Sequence, residues 1–197
     1  MNILYLEIQQ AMKGHVMAVE PIIREFKKTD IANFHEAVSE SIKEAYYWLP
    51  WCHPGYSIDE ARSWVLMQES LRQGGHEYNF LIVDRRTDLI LGGTGINTIH
   101  NFHKFCFLGY WVRSSQTGKG IATSATMQTA RFAFEEIGLN RIEILMAVEN
   151  IASKRVAEKT SAKYEGIARQ KLFLHNTFVD AHVFTMLRND YVTGHGE

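Results

Sequence analysis

Residues 108–129, LGYWVRSSQTGKGIATSATMQT, constrain this chain more than any other stretch. Residues 105–112 are apolar and aromatic, the pattern of a buried strand. Residues 121–138 carry Ala, Met and Phe at helical spacing. The small-residue run SSQTGKG joins the two. A strand, a Gly-rich turn and a helix start, in that order, make an anion site. Gly118 and Gly120 have no Cβ, so the backbone there can come close to a ligand. The free N–H groups of the first helical turn point at that ligand, and the helix dipole favours negative charge. Taken alone, a GxG turn is read equally well as an ordinary tight turn. Two nucleotide motifs fail against the residues. A Walker-A loop needs Ser or Thr after Gly-Lys, where Gly120 stands. A dinucleotide fingerprint needs a third Gly, and Ile121, Ala122 and Thr123 follow instead.

The surrounding chain has the length of one domain with a short extension, and its 46% hydrophobic content can bury a core. A net charge of −1 gives no basic excess, which argues against nucleic acid as the main partner. No apolar run approaches the roughly 20 residues of a membrane span. The first residues, MNILYLEIQQ, lack the basic start and long apolar stretch of a signal peptide. A cytoplasmic protein is therefore expected, with no membrane partner and with Cys52 and Cys106 as free buried thiols.

In order, residues 1–18 form an N-terminal extension. A first strand is expected at 22–25. Thr29 or Asp30 caps a helix to about Ser41, with Ile31, Phe34, His35 and Val38 on one face. The aromatic run YYWLPWCHPGY, broken by Pro50, Pro54 and Gly55, is a loop. It packs as a lid over the core or forms the wall of a pocket. Ser57 and Glu60 make a capping box for a helix to about Arg72, ended by Gly74 and Gly75. Strands follow at 78–84 and 89–99, the second weakened or bulged by Gly92, Gly93 and Gly95. After 105–112 and the helix of 121–138 come a strand at 141–148 and a helix from Asn150 to about Thr160. A final strand pair spans 164–174 and 179–187. Residues 189–197 form a frayed tail. This order gives an α/β sheet of mixed direction over residues 19–188.

The segment GYWVRSSQTGKGIATSA resembles the acetyl-CoA-binding motif of the GNAT superfamily of N-acetyltransferases. Downstream, VENIASKRVAEKTSAKYEG, residues 148–166, resembles the NxxSxxVxEKxGFxxEG run of its ribosomal-protein N-terminal acetyltransferase subgroup, the Rim type. The two matches come in the family's order and at about its spacing. The resemblance implies the GNAT fold, an α/β architecture with a mixed, mostly antiparallel central sheet flanked by about four helices. It implies acetyl transfer from acetyl-CoA, the donor substrate, to an amine, with no metal. The first-choice acceptor is the N-terminal α-amino group of a ribosomal protein. Alternatives are a small amine, such as a polyamine, amino acid or antibiotic, and a module that binds acetyl-CoA without turnover. A homodimer is a family-level expectation.

By the same resemblance, the cofactor-binding set is Val112, Arg113, Gln116, Thr117, Gly118, Lys119, Gly120, Ile121, Ala122 and Asn150. The amides from Thr117 to Ala122 hold the pyrophosphate, with Lys119 as a nearby point charge. Two strands splay apart near Tyr110 to Arg113, where a backbone N–H near Val112 faces the thioester oxygen. Ser115 stands where the family has Gln or Arg, with Gln116 one place later. Asn150 contacts the pantetheine arm while also fitting a helix cap. Ser153 is the hydroxyl near the CoA sulfur, because Ala157 stands where many relatives carry a catalytic Tyr. Ser153 and Asn150 are thus the catalytic pair. Ser161 and Ala162 replace the subgroup's Gly and Phe. No base stands out. Leu172 occupies the place where some relatives have Glu, and Glu44, His53, His100, His103 and His175 remain as candidates. An α-amine of pKa about 8 is roughly a tenth neutral at pH 7, whereas a lysine at about 10.4 needs about 4.6 kcal/mol to deprotonate there. The missing carboxylate therefore leans towards an α-amine acceptor. His100, His103 and Cys106 have ligand-like spacing, but they fall in a turn and a strand core rather than in a metal motif.

Overall fold

The computed structural model describes residues 19–193, so the expected extension at 1–18 and the last residues of the tail lie outside the described residues. The elements are β1 (Pro21–Arg24), α1 (Ile31–Ala45), α2 (Ile58–Gln73), β2 (Tyr78–Asp84), β3 (Ile90–His100), β4 (Phe105–Val112), α3 (Ile121–Glu135), β5 (Arg141–Ala147), α4 (Ile151–Ala157), β6 (Lys163–Leu174), β7 (Thr177–Leu187) and α5 (Arg188–Thr193). They build a seven-stranded sheet in the order β1-β2-β3-β4-β5-β7-β6. Among the described residues, only the β4–β5 pair is parallel. The expected mixed, mostly antiparallel sheet is the one observed.

Strand alternation divides the core into two layers. Cys106 and Leu108 of β4 and Ile142, Ile144 and Met146 of β5 are buried with Ala130, Ala133 and Phe134 of α3 and Ala157 of α4. On the opposite face, Leu81 and Val83 are buried with Phe34 and Val38 of α1 and Ala61 and Val65 of α2. Helix α2 starts on its capping box. Ser57 Oγ accepts from the Glu60 N–H at 3.2 Å, and the Glu60 carboxylate accepts from the Ser57 N–H at 2.8 Å. Asp30 precedes α1, but its side chain caps nothing on the helix. It instead takes both terminal nitrogens of Arg24, at 2.8 and 2.9 Å, tying β1 to α1.

Two expectations change. Residues 188–193 form a helix rather than a frayed tail, because Tyr191 is 8% exposed and its ring packs 5.5 Å from that of Phe134. The glycines of β3 mark close approaches as well as a bulge. The β2–β3 register slips between Ile82 and Val83, beside Gly92, and the β3–β4 register slips between Asn97 and His100, away from the glycines. At Gly92 a Cβ would collide with the β4 backbone at Trp111 and Val112.

The sheet is interrupted where β4 meets β5. Their pairing covers only Phe105, Cys106 and Phe107 against Arg141, Ile142 and Glu143. Beyond Glu143, β5 stays paired with β7 while β4 stays paired with β3, and a wedge opens between them.

Candidate active site

The wedge is lined by polar backbone. The Arg113 N–H donates to the Leu91 carbonyl at 2.8 Å. Hydrogen bonding alternates along an antiparallel pair, so the N–H groups of Val112 and Tyr110 point the other way, into the wedge. The β4–α3 turn follows directly. Gly118 and Gly120 have φ of +77° and +75°, and a Cβ on either would meet no atom within 4 Å. These glycines are needed for a left-handed backbone, and they leave the outer face of the turn open. The first helical hydrogen bond of α3 runs from the Ser124 N–H to the Gly120 carbonyl at 3.0 Å. The preceding N–H groups, including those of Ile121 and Ala122, have no intrahelical acceptor. Ile121 offers only its N–H, since its side chain is buried under β2 and β3.

Other members of the expected cofactor set are engaged within the protein. The Thr117 N–H and hydroxyl both reach the Ser114 carbonyl, at 3.4 and 3.0 Å. Lys119 Nζ donates to Gln116 Oε1 at 2.8 Å, bracing the turn. The Arg113 guanidinium is turned away from the turn. Its Nη2 donates to Glu36 and its Nε to Glu40, each at 2.6 Å. The Ser115 N–H adds a 2.9 Å bond to Glu40, and the Ser114 hydroxyl a 2.8 Å bond to Glu44. Three carboxylates of α1 thus grip the loop that presents the anion site.

Across the wedge, Asn150 caps α4, its Oδ1 accepting from the Ser153 N–H at 3.0 Å. Tyr110, from the β4 lip of the wedge, reaches Ser153. Its phenolic oxygen lies 2.9 Å from Ser153 Oγ and 3.1 Å from the Ser153 carbonyl oxygen. Burial pushes the Tyr110 phenol up to about 12, with the Ser153 bond opposing that shift, so the group is a proton donor at neutral pH. Sequence reasoning missed Tyr110. Its one signal was a hydroxyl-bearing aromatic in a strand at the predicted splay.

On the α1/α2 face lies a cavity of about 870 Å³, walled by Phe34, Trp51, Trp64, Met67 and Trp111 and floored by Gly95 and Gly109. The aromatic loop therefore does both expected jobs. Cys52 and Tyr56 are buried as a lid, while Trp51 lines the cavity. The candidate bases scatter. His53 lies in the cavity wall, its Nε2 2.9 Å from Glu60. Glu44 is taken by Ser114. His175, at the β6–β7 turn, lies 2.9 Å from the Tyr46 carbonyl oxygen. His100, the last residue of β3, and His103 of the following turn stack on each other at 4.6 Å, while Cys106 faces the core. Among the described residues no three His, Cys, Asp or Glu groups converge as metal ligands, and no helix is long and apolar enough to cross a membrane.

Residues 22–163 match the model of the acetyltransferase (GNAT) domain family. Among curated proteins, the chain is 29% identical over 136 residues to the probable N-acetyltransferase YjcK of Bacillus subtilis (strain 168), covering 68% of this chain and 75% of that one. It is 27% identical over 139 residues to the ribosomal-protein-serine acetyltransferase of Escherichia coli (strain K12), covering 71% and 76%. Among solved structures, RimL, a ribosomal L7/L12 alpha-N-protein acetyltransferase in complex with coenzyme A, has the same fold. The TM-score is 0.78 at 22% identity, with 88% of this chain and 98% of that chain covered. The chain belongs to the GNAT acetyltransferase family and is an N-acetyltransferase that uses acetyl-CoA.

Proposed function

We propose that the protein acetylates the N-terminal α-amino group of a ribosomal protein in the cytoplasm, with the thioester lying in the β4–β5 wedge. The observation that carries this reading is the convergence of three features on one gap: inward-facing N–H groups of β4, the open Gly118–Gly120 turn and the Ser153 hydroxyl. The amides around Gly118 to Ala122 hold the pyrophosphate. The Val112 N–H donates to the thioester oxygen and strengthens as that oxygen gains charge. The amine nitrogen bonds to the acetyl carbon, the C–S bond breaks, and the departing sulfur takes a proton from Ser153. Tyr110 restores that proton and is itself reprotonated from solvent, to which the attacking neutral amine releases its surplus proton, so no group is left in a changed protonation state. Asn150 fixes the first turn of α4 and with it Ser153. Arg113 positions the anion-binding loop through α1 rather than touching the cofactor. The ribosomal acceptor is supported by the likeness to the E. coli ribosomal-protein-serine acetyltransferase.

The test is thiol release from acetyl-CoA with the purified protein against peptides, a ribosomal protein mixture, polyamines and aminoglycosides. Turnover confined to protein or peptide N-termini supports the ribosomal reading, whereas turnover on a polyamine or aminoglycoside replaces the acceptor. Tight acetyl-CoA binding without any turnover would leave a binding module. Gly118→Trp should abolish acetyl-CoA binding, since it strains a positive-φ position and fills the open face of the turn. Normal binding would remove the anion site from that turn.

A further inference from the structure

Gly93, Gly95 and Gly109 share one face of the sheet. Gly95 pairs with Gly109 and Gly93 with Trp111, whose ring packs 6.1 Å from Phe34 of α1. The Trp111 indole covers Gly93, and the Asn79 side chain covers Gly95. Over Gly109 a Cβ would meet nothing within 4 Å. Gly109 thus leaves bare floor where the cavity borders the wedge. The cavity has two further properties. Its walls are aromatic and apolar, with two tryptophans, Trp51 and Trp111, in edge contact at 6.0 Å. Its lining carboxylates are Asp59, Glu60 and Glu77 and its one lining imidazole is His53, with no Lys or Arg among the described lining residues. Asp59 lies 3.5 Å from the Arg62 guanidinium, Glu60 is engaged by His53 and Ser57, and Glu77 accepts from Asn79 at the end of the same floor.

We propose that this cavity selects, as acceptor, a primary ammonium joined to a bulky apolar or aromatic group, whose amine reaches the thioester over Gly109. The inference rests on the acetyl-transfer reading above. A lining with three carboxylates and no Lys or Arg favours a cationic acceptor over an anionic one. A volume of about 870 Å³ lies in the range of sites that enclose drug-sized ligands. A seryl or alanyl side chain would leave the aromatic walls against water, whereas a phenylalanyl, leucyl or aryl group would fill them. Each methylene placed in such a pocket is worth about 10-fold or more in kcat/KM. The same chemistry is offered by a polypeptide starting with a large apolar residue and by a free arylalkylamine.

The experiment uses the full chain, acetyl-CoA, hexapeptides differing only in their first residue (Ser, Ala, Leu or Phe), and 2-phenylethylamine. The expected result is a kcat/KM at least about 10-fold higher for Leu or Phe peptides, or for phenylethylamine, than for Ser or Ala peptides. Preference between peptide and free amine identifies the source. Equal rates, or a preference for Ser or Ala, would overturn the inference and leave acetyl transfer standing. Binding of acetyl-CoA without turnover of any acceptor would overturn both. Gly109→Val provides an independent check, because the position has neither a positive φ nor a neighbour for the new side chain. It should lower kcat/KM for the preferred acceptor by about 10-fold or more with acetyl-CoA affinity unchanged. Unchanged acceptor kinetics would exclude the passage over Gly109.

Discussion

The phenolic oxygen of Tyr110 lies 2.9 Å from Oγ of Ser153, and the bond joins the β4 lip of the wedge to the first turn of α4. Tyr110 has one proton and two acceptors within reach, the Ser153 hydroxyl and the Ser153 carbonyl. It can therefore hold α4 in place, or pass its proton through Ser153 to a thiolate. Ser153→Ala should lower kcat by about 100-fold or more, the scale of a lost general acid, with acetyl-CoA affinity retained. Tyr110→Phe keeps the ring and removes the hydroxyl, so a smaller loss of about 10-fold is expected, equivalent to one buried hydrogen bond. Steady-state kinetics with an acetyl-CoA binding isotherm separates the two. An unchanged kcat for Ser153→Ala would take that serine out of the mechanism.

A second relationship sets the cofactor loop. Glu40 holds Arg113 Nε at 2.6 Å and the Ser115 N–H at 2.9 Å, joining α1 to the turn ahead of Gly118. Its carboxyl is held below the usual range, chiefly by the Ser115 hydroxyl, with the Ser115 N–H and Arg113 adding to the effect. Glu40→Ala should raise the KM for acetyl-CoA by about 10-fold with a smaller change in kcat, because the loop is loosened while the reacting groups stay. Glu40→Gln should recover part of this, since it still accepts from the Ser115 N–H. The stabilisation is present above the ordinary carboxylate pKa and is lost as pH falls through the lower folded value. A kcat loss without a KM change would disprove this positioning role.

How much of this was legible in the sequence varies with the range of the forces involved. The limits of β2 and β4 follow from apolar runs bounded by polar residues, and the α2 start follows from Ser57 and Glu60, since both signals are local. Tyr110 and Ser153 are far apart in the chain and meet only because β4 and β5 part after Phe107 and Glu143, which no local pattern encodes. Glu36, Glu40 and Glu44 sit one helical turn apart, visibly on one face of α1. Such a stripe ordinarily faces solvent, however, and its cation and serine partners come from the β4–α3 loop. The α5 helix leaves little trace in the sequence, because Tyr191 is its only buried apolar anchor among residues of described burial. The composition of the aromatic loop fits a wall and a lid alike, and the loop serves as both.

The His53–Glu60 pair predicts a pH window. The Pro54 carbonyl, and then Glu60, raise the His53 pKa, while the Ser57 N–H and hydroxyl, and then His53, lower that of Glu60. The His53 contribution is fully present below the unfolded value of about 6.5 and is lost as pH rises through the higher folded value. The Glu60 contribution is present above about 4.3 and is lost as pH falls through its folded value. Both operate between those limits. NMR titration of the imidazole should show His53 above an ordinary histidine, and Glu60→Gln should move it down. No movement in that variant would mean the pair is not formed in solution.

Cys52 and Cys106 are both 0% exposed and free, and burial pushes their thiols up to about 11 and about 12. Neither carries thiolate at pH 8, so iodoacetamide should leave the native protein unmodified and label both positions in denaturant, as read by mass spectrometry. Rapid labelling of either one in the native state would show that its layer of the core opens readily.

The side chain of Thr126 is 0% exposed in α3, and its hydroxyl has no hydrogen-bond partner among the described residues. A buried hydroxyl without a partner keeps its desolvation cost and gains nothing in return. Thr126→Val preserves the branched shape and removes the polar atom, so it should stabilise the fold by about 1 kcal/mol. For a chain of this size that corresponds to a rise in Tm of roughly 2–4 °C. Thr126 lies a full helical turn beyond the free amides at the start of α3, so acetyl-CoA affinity should not change. A thermal melt that shifts downward instead would show that the hydroxyl is satisfied in solution, by a buried water held in the α3 layer.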